Sequence, residues 1–125
     1  MVLVDTSVWV DHFRQANSTL IDLLISDEVC CHPLVIAELA CGTPPAPRTN
    51  TLKDLSLLTS TTIATTQEVM AFIEQRKLYG KGCGYVDIAL LTSALLTKET
   101  TLWTLDKRLS ALANECQINF LKSSG

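Results

Sequence analysis

The sequence contains no C-x-x-C pair, and its cysteines (Cys30, Cys31, Cys41, Cys83 and Cys116) are odd in number. This argues against a zinc site or a disulfide framework and fits free, buried thiols in a reducing compartment. Cys30 and Cys31 are adjacent, so on a strand they point to opposite faces. A basic excess is also missing: ten Lys and Arg stand against thirteen Asp and Glu, for a net charge of −3. Taken whole, that balance speaks against general nucleic-acid binding. Aromatics are scarce, at 6% of residues, so the core has first claim on them before any stacking role. The most apolar stretch, "YVDIALLTSALL", is too short to span a bilayer and carries Asp87. No basic start, apolar run and small-residue cleavage site mark a secretory leader. A cytoplasmic protein with no membrane contact is therefore expected. Internal repeats, heptads and low-complexity tracts are lacking as well.

What is present is a chain rich in apolar residues, 47% of 125, with positive mean hydropathy. That suits one compact domain over 1–125 and argues against disorder. The obvious break is "GTPPAPRTN", residues 42–50, which reads as a loop. Elsewhere short apolar runs alternate with helical patterns. Strands are expected at Val2–Val4, Val29–Cys31, Thr62–Ala64, Thr101–Thr104 and Ile118–Leu121. Helices are expected at Ser7–Gln15, Thr19–Ile25, Leu34–Ala40, Leu52–Leu58, Gln67–Leu78, Val86–Lys98 and Lys107–Asn114. Strands separated by helices imply an α/β fold with a mostly parallel sheet and right-handed crossovers. Ligands of such sheets bind outside the carboxyl ends of the strands.

Against this frame four acids sit oddly. "VLVDTS" runs three apolar residues into Asp5, and "TLWTL" runs into Asp106, so both carboxylates belong at the carboxyl edge of the sheet. Glu38 in "PLVIAELACG" has Leu34, Val35, Cys41 and Gly42 as its helical neighbours, none of them basic. Asp87 begins an inward stripe with Leu90, Leu91 and Ala94. Each has an ordinary explanation. Asp5 and Asp106 could cap the helices that follow, Asp87 could complement a helix dipole, and Glu38 could pair with a distant Arg. Gathered in a low dielectric, however, the four would repel one another, and a bound cation or altered protonation is what keeps such a cluster. Oxygen ligands favour Mg²⁺ or Mn²⁺ over zinc. Thr6 and Ser7 could cap the first helix, or could hold Asp5 or a water beside a metal.

The blocks "VDTSVWVDHFR", "HPLVIAELACG", "GYVDIALLTSALL" and "LWTLDKRL" resemble those of PIN-domain ribonucleases, most closely the VapC-type toxins of bacterial toxin–antitoxin pairs. The resemblance runs from Val2 to about Leu109, in the family's order and spacing. It implies a three-layer α/β/α sandwich around a mostly parallel sheet and Mg²⁺- or Mn²⁺-dependent endonucleolytic cleavage of RNA, leaving a 5′ phosphate. It places the family's acids on Asp5, Glu38, Asp87 and Asp106, and its hydroxyl on Thr104. Asp5 and Asp87 are then the metal ligands, Glu38 a ligand or an orienter of water, and Asp106 a group acting through water. Ser7 and Thr104 support them. The family's usual context is a homodimer inhibited by a small VapB-like antitoxin.

Setting the four acids aside against a cation leaves ten basic residues facing nine acidic ones, a balance of +1. An RNA-facing surface need not be acidic: Arg14, Arg76, Lys77, Lys81, Lys107 and Arg108 lie near the blocks and any could contact phosphates, with Lys81 and Arg14 put forward. Lys81 lies in "GKGCG", which lacks the spacing of a phosphate-binding P-loop and reads as a helix–helix connection. His12 and His32 have no metal-ligand spacing and read as packing or hydrogen-bonding residues. Two other functions share the pattern of an acid after a first strand. One is a phosphoryl-transfer module, although D-x-D is broken by Ser7; the other is a non-catalytic binding module with the same acidic pocket.

Overall fold

The computed structural model describes residues 1–121; the last four residues of the expected domain lie outside it. In chain order the elements are β1 (Val2–Val4), α1 (Thr6–Arg14), α2 (Ser18–Ile25), β2 (Val29–Cys31), α3 (Pro33–Ala40), α4 (Arg48–Ser56), β3 (Thr59–Ser60), α5 (Thr66–Arg76), α6 (Tyr85–Leu96), β4 (Thr101–Trp103) and α7 (Lys107–Glu115). The strands form a parallel sheet in the order β3-β2-β1-β4. Every residue of β1 and β2 is buried, as expected where helices cover both faces of a parallel sheet.

The order reverses beside β1. From β1 the chain steps through α1 and α2 to β2, then through α3 and α4 to β3. It returns through α5 and α6 to β4, on the far side of β1. With right-handed crossovers the first four helices cover one face and the later ones the other. The packing agrees: α1 meets α3 and α3 meets α4, whereas α5 meets α6 and α6 meets α7. This is the three-layer arrangement the sequence implied. It puts a switch point between β1 and β4, where such sheets bind ligands.

Core and caps explain the elements. The middle of α6, from Ile88 to Ala94, is wholly buried, and Leu90 and Leu91 are fully enclosed. Each such leucine contributes about 1.5–3 kcal/mol relative to exposure. Buried Thr92 donates to the Ile88 carbonyl (2.7 Å), which satisfies its hydroxyl. A capping box starts α5: Thr65 Oγ1 accepts from the Glu68 N–H while Glu68 Oε1 accepts from the Thr65 N–H. His32 starts α3, its Nδ1 accepting from the Leu34 N–H (3.0 Å). That assigns its proton to Nε2, which faces Ser93 Oγ at 3.1 Å.

Three segments differ from the sequence reading. The third strand lies at Thr59–Ser60, not Thr62–Ala64. The backbone donors of Thr62 and Ala64 go instead to Thr97 Oγ1 and Ser93 Oγ of the neighbouring helix region, so no ladder forms there. Residues 118–121 make only a single parallel bridge, Leu102 to Asn119. The fourth helix starts at Arg48, inside the stretch read as loop, because the Pro47 carbonyl accepts from Asn50 and Thr51. Of the cysteines, Cys30 and Cys31 are buried and free as expected, but Cys41 is exposed. Among the described residues, no helix is long and apolar enough to cross a membrane.

Candidate functional site

Asp5 closes β1 at the switch point and stands at the N-cap of α1, yet its side chain makes no cap hydrogen bond. Its Oδ2 instead accepts from Thr104 Oγ1 (2.5 Å) and Ser7 Oγ (2.9 Å). Each hydroxyl spends its one proton on the carboxylate and accepts a backbone N–H from the turn after β4. Thr104 Oγ1 takes the Asp106 N–H and Ser7 Oγ the Leu105 N–H, both at 3.0 Å. The two central strands are thereby tied together at their carboxyl ends through one buried carboxylate. Asp5 is not the helix cap its position allows, and Ser7 is not a cap either.

Thr6, the first residue of α1, donates to Glu38 Oε1 at 2.7 Å. That bond joins the start of α1 to α3 and brings Glu38 to the Asp5 side of the β2 flank. Glu38 thus finds a hydroxyl partner within the site, not a distant Arg. Asp106 lies on the opposite flank, after β4. Its Oδ1 accepts from the Leu109 N–H (2.9 Å), so its capping role is real and occupies that oxygen. Asp87 enters from the first turn of α6 and is half-buried. Burial raises its carboxyl above the ordinary 3.8; the charges of Asp5, Asp106 and Glu38 push it further, against the Gly84 backbone N–H. Three acids far apart in sequence therefore act on Asp87, and each of them adds to the effect of burial.

These donors suit a hard cation. They are carboxylate oxygens, supported by hydroxyls, with no imidazole or thiolate needed. Among the described residues, no three acidic, His or Cys side chains close around a common point as they stand. Holding an ion requires them to turn inward, which exposed Glu38 and Asp106 and half-buried Asp87 are free to do.

Around the acids the other candidates divide. Arg14 lines a cavity of about 420 Å³ together with Val10, Phe13, Glu38 and Pro44, so it shares a wall with one of the acids. Lys81 is exposed in the connection before α6, and no described contact brings it to the carboxylates. His12 accepts the Asn17 N–H, and both histidines hydrogen-bond within the fold, as read from sequence. Two further residues lie at the rim: Cys83, read from sequence only as a free thiol, and Arg108, read there as one of several basic residues able to contact phosphate. The Cys83 thiol is pushed up to about 11 by burial and by Asp87 and Asp106, with Arg108 opposing. Both lie close to the acids in sequence: Cys83 is four residues before Asp87, in the connection that leads into α6, and Arg108 is two residues after Asp106.

A fold with its sheet reversing beside an acidic strand end, and four acids from four elements in one field, defines a class. The PIN domain family model matches residues 2–115, and the chain belongs to that family. Its similarity to individual proteins is also close. It is 46% identical over 115 residues to "Ribonuclease VapC32" of Mycobacterium tuberculosis, in strains CDC 1551 / Oshkosh and ATCC 25618 / H37Rv, and the match covers 92% of each chain.

Proposed function

We propose that this protein is a Mg²⁺- or Mn²⁺-dependent endoribonuclease and the toxin of a VapC-type toxin–antitoxin pair. The observation that carries the reading is Asp5, which sits where a cap belongs but is held by Thr104 and Ser7, and whose charge acts on Asp87 together with those of Asp106 and Glu38. A helix cap explains none of that, whereas a positioned metal ligand explains all of it. The kinship with a ribonuclease agrees.

In this reading Asp5 and Asp87 hold the ion. When bound, a hard divalent ion supplies Lewis-acid stabilisation of the charge that grows on the phosphodiester oxygens. Thr104 and Ser7 fix the Asp5 rotamer. Glu38, held through one oxygen by Thr6, orients the attacking water with the other. Asp106 reaches the site with the oxygen left free by its cap bond. The water oxygen gives up a proton and bonds to phosphorus as the bond to the ribose 3′ oxygen breaks, and that oxygen takes up a proton, leaving a 5′ phosphate and a 3′ hydroxyl. Arg14 and Lys81 contact flanking phosphates, which supply affinity without sequence choice. The protein works in the cytoplasm as a homodimer and is inhibited by a small VapB-like partner. Apolar side chains around the Arg14 cavity and its neighbour, lined by Trp9, Leu24 and Leu55, offer that partner a footing.

The test is to incubate the pure protein with total cellular RNA, with and without Mn²⁺, and sequence the new 5′ ends. Discrete metal-dependent cuts are expected, and Asp5→Asn should abolish them with the circular dichroism spectrum unchanged. Cleavage retained by Asp5→Asn overturns the reading.

A further inference from the structure

We propose that Arg108 is a catalytic residue of this site, the cation that grips the RNA phosphate at the acidic cleft. The inference rests on the endoribonuclease reading and deepens it.

Three observations meet at Arg108. The first is placement. Asp106 caps α7, so Lys107 and Arg108 fill its first turn, where no acid stands. The positive end of a helix disfavours cations, so helix stability does not account for an arginine there. The second is a fitted seat. Gly82 lies in the connection before α6 with φ +83°, and a Cβ on it would come within 2.6 Å of Arg108 Cδ and 2.9 Å of Nε and Nη1. The absent side chain leaves the groove through which the arginine stem passes. The third is electrostatic. Arg108 acts on the Cys83 thiol together with Asp87 and Asp106, so cation and acids share one rim.

A nucleic-acid strand brought to four carboxylates meets repulsion that one divalent ion offsets only in part. A guanidinium at the rim meets phosphate with paired N–H donors, and lysine does not reproduce that geometry. From that rim it also meets the negative charge that grows on the phosphoryl oxygens as the 3′ oxygen leaves. Arg108 lies on the β4 flank, opposite the Glu38 and Arg14 cavity. The strand therefore runs from Arg14 across Asp5 to Arg108.

The test uses full-length protein and a labelled RNA carrying one mapped cut site, in saturating Mn²⁺. In single turnover, Arg108→Gln should cut on the order of 100-fold slower than wild type, and Arg108→Lys should recover only part of the loss. In an Asp5→Asn background, adding Arg108→Gln should weaken binding of the same RNA and lower the slope of log affinity against log salt by about one. Mn²⁺ affinity and melting temperature should hold steady. Arg108→Gln cutting and binding like wild type overturns the proposal. So does a defect that follows a fall in melting temperature and disappears on cooling, since that marks a loop pin. If the wild type cuts no RNA, the endoribonuclease reading fails alone; binding of total RNA by wild type and Arg108→Gln then decides whether Arg108 grips phosphate.

Discussion

Asp87 and His32 are both half of an electrostatic argument, with opposite signs. Burial and three like charges raise the folded-state pKa of Asp87 above its ordinary value. A carboxyl raised on folding stabilises the native state when protonated, and that benefit is lost as pH rises through the raised pKa. At neutral pH without metal the charged side chain is therefore a cost. Asp87→Asn should raise the metal-free melting temperature at pH 7, with no gain below pH 3.8, the unfolded value, as thermal denaturation across pH will show. His32 runs the other way. Burial lowers its pKa from 6.5, and its Nδ1 already accepts the Leu34 N–H, leaving no room for a second ring proton there. The unfolded chain takes up a proton below pH 6.5 while the native state does not, so stability falls as pH drops from 6.5 towards the folded value. His32→Gln should lower stability at pH 7 and flatten that acid slope in urea titrations. In sequence Asp87 read as an acid at the head of an apolar stripe and His32 as a packing or hydrogen-bonding residue; the sign of each shift needed neighbours from distant elements.

The helix starts separate function from stability. Asp5 and Asp106 look alike in sequence, each an acid ending a strand and preceding a helix. In the structure Asp106 caps and Asp5 does not. Asp106→Asn should therefore keep α7 intact, because asparagine caps as well as aspartate, whereas Asp106→Ala should cost about 1 kcal/mol of unfolding free energy. If both variants lose RNA cleavage alike, the charge serves the site and the cap serves the helix, and urea denaturation beside the cleavage assay distinguishes the two. Sequence placed most helices closely because their apolar periodicity and caps are local signals. It misplaced β3 because the contacts that decide it, Ser93 and Thr97 bonding to residues 62 and 64, come from a helix about thirty residues later.

On the scale of the whole molecule, the reversal of strand order gathers the acids. Asp5 is central, Glu38 comes from the β2 side, and Asp87 and Asp106 come from the chain that returns to β4. A cation that binds this cluster only in the native state must raise the melting temperature, by about 2.7 kcal/mol of added stability at a hundredfold excess over Kd. Mn²⁺ should do this for the wild type and much less for Asp5→Asn, as calorimetry will measure. The amino-acid sequence by itself determined the alternation of strands and helices, the four acids that stand as candidates and the kinship of the chain, because periodicity, composition and ordered blocks are written along one dimension. Tertiary structure alone decided that Asp5 is held by hydroxyls instead of capping, that Thr6 serves Glu38, and that Arg108 passes over Gly82. Those facts are distances between residues remote in the chain, and only the folded backbone sets them.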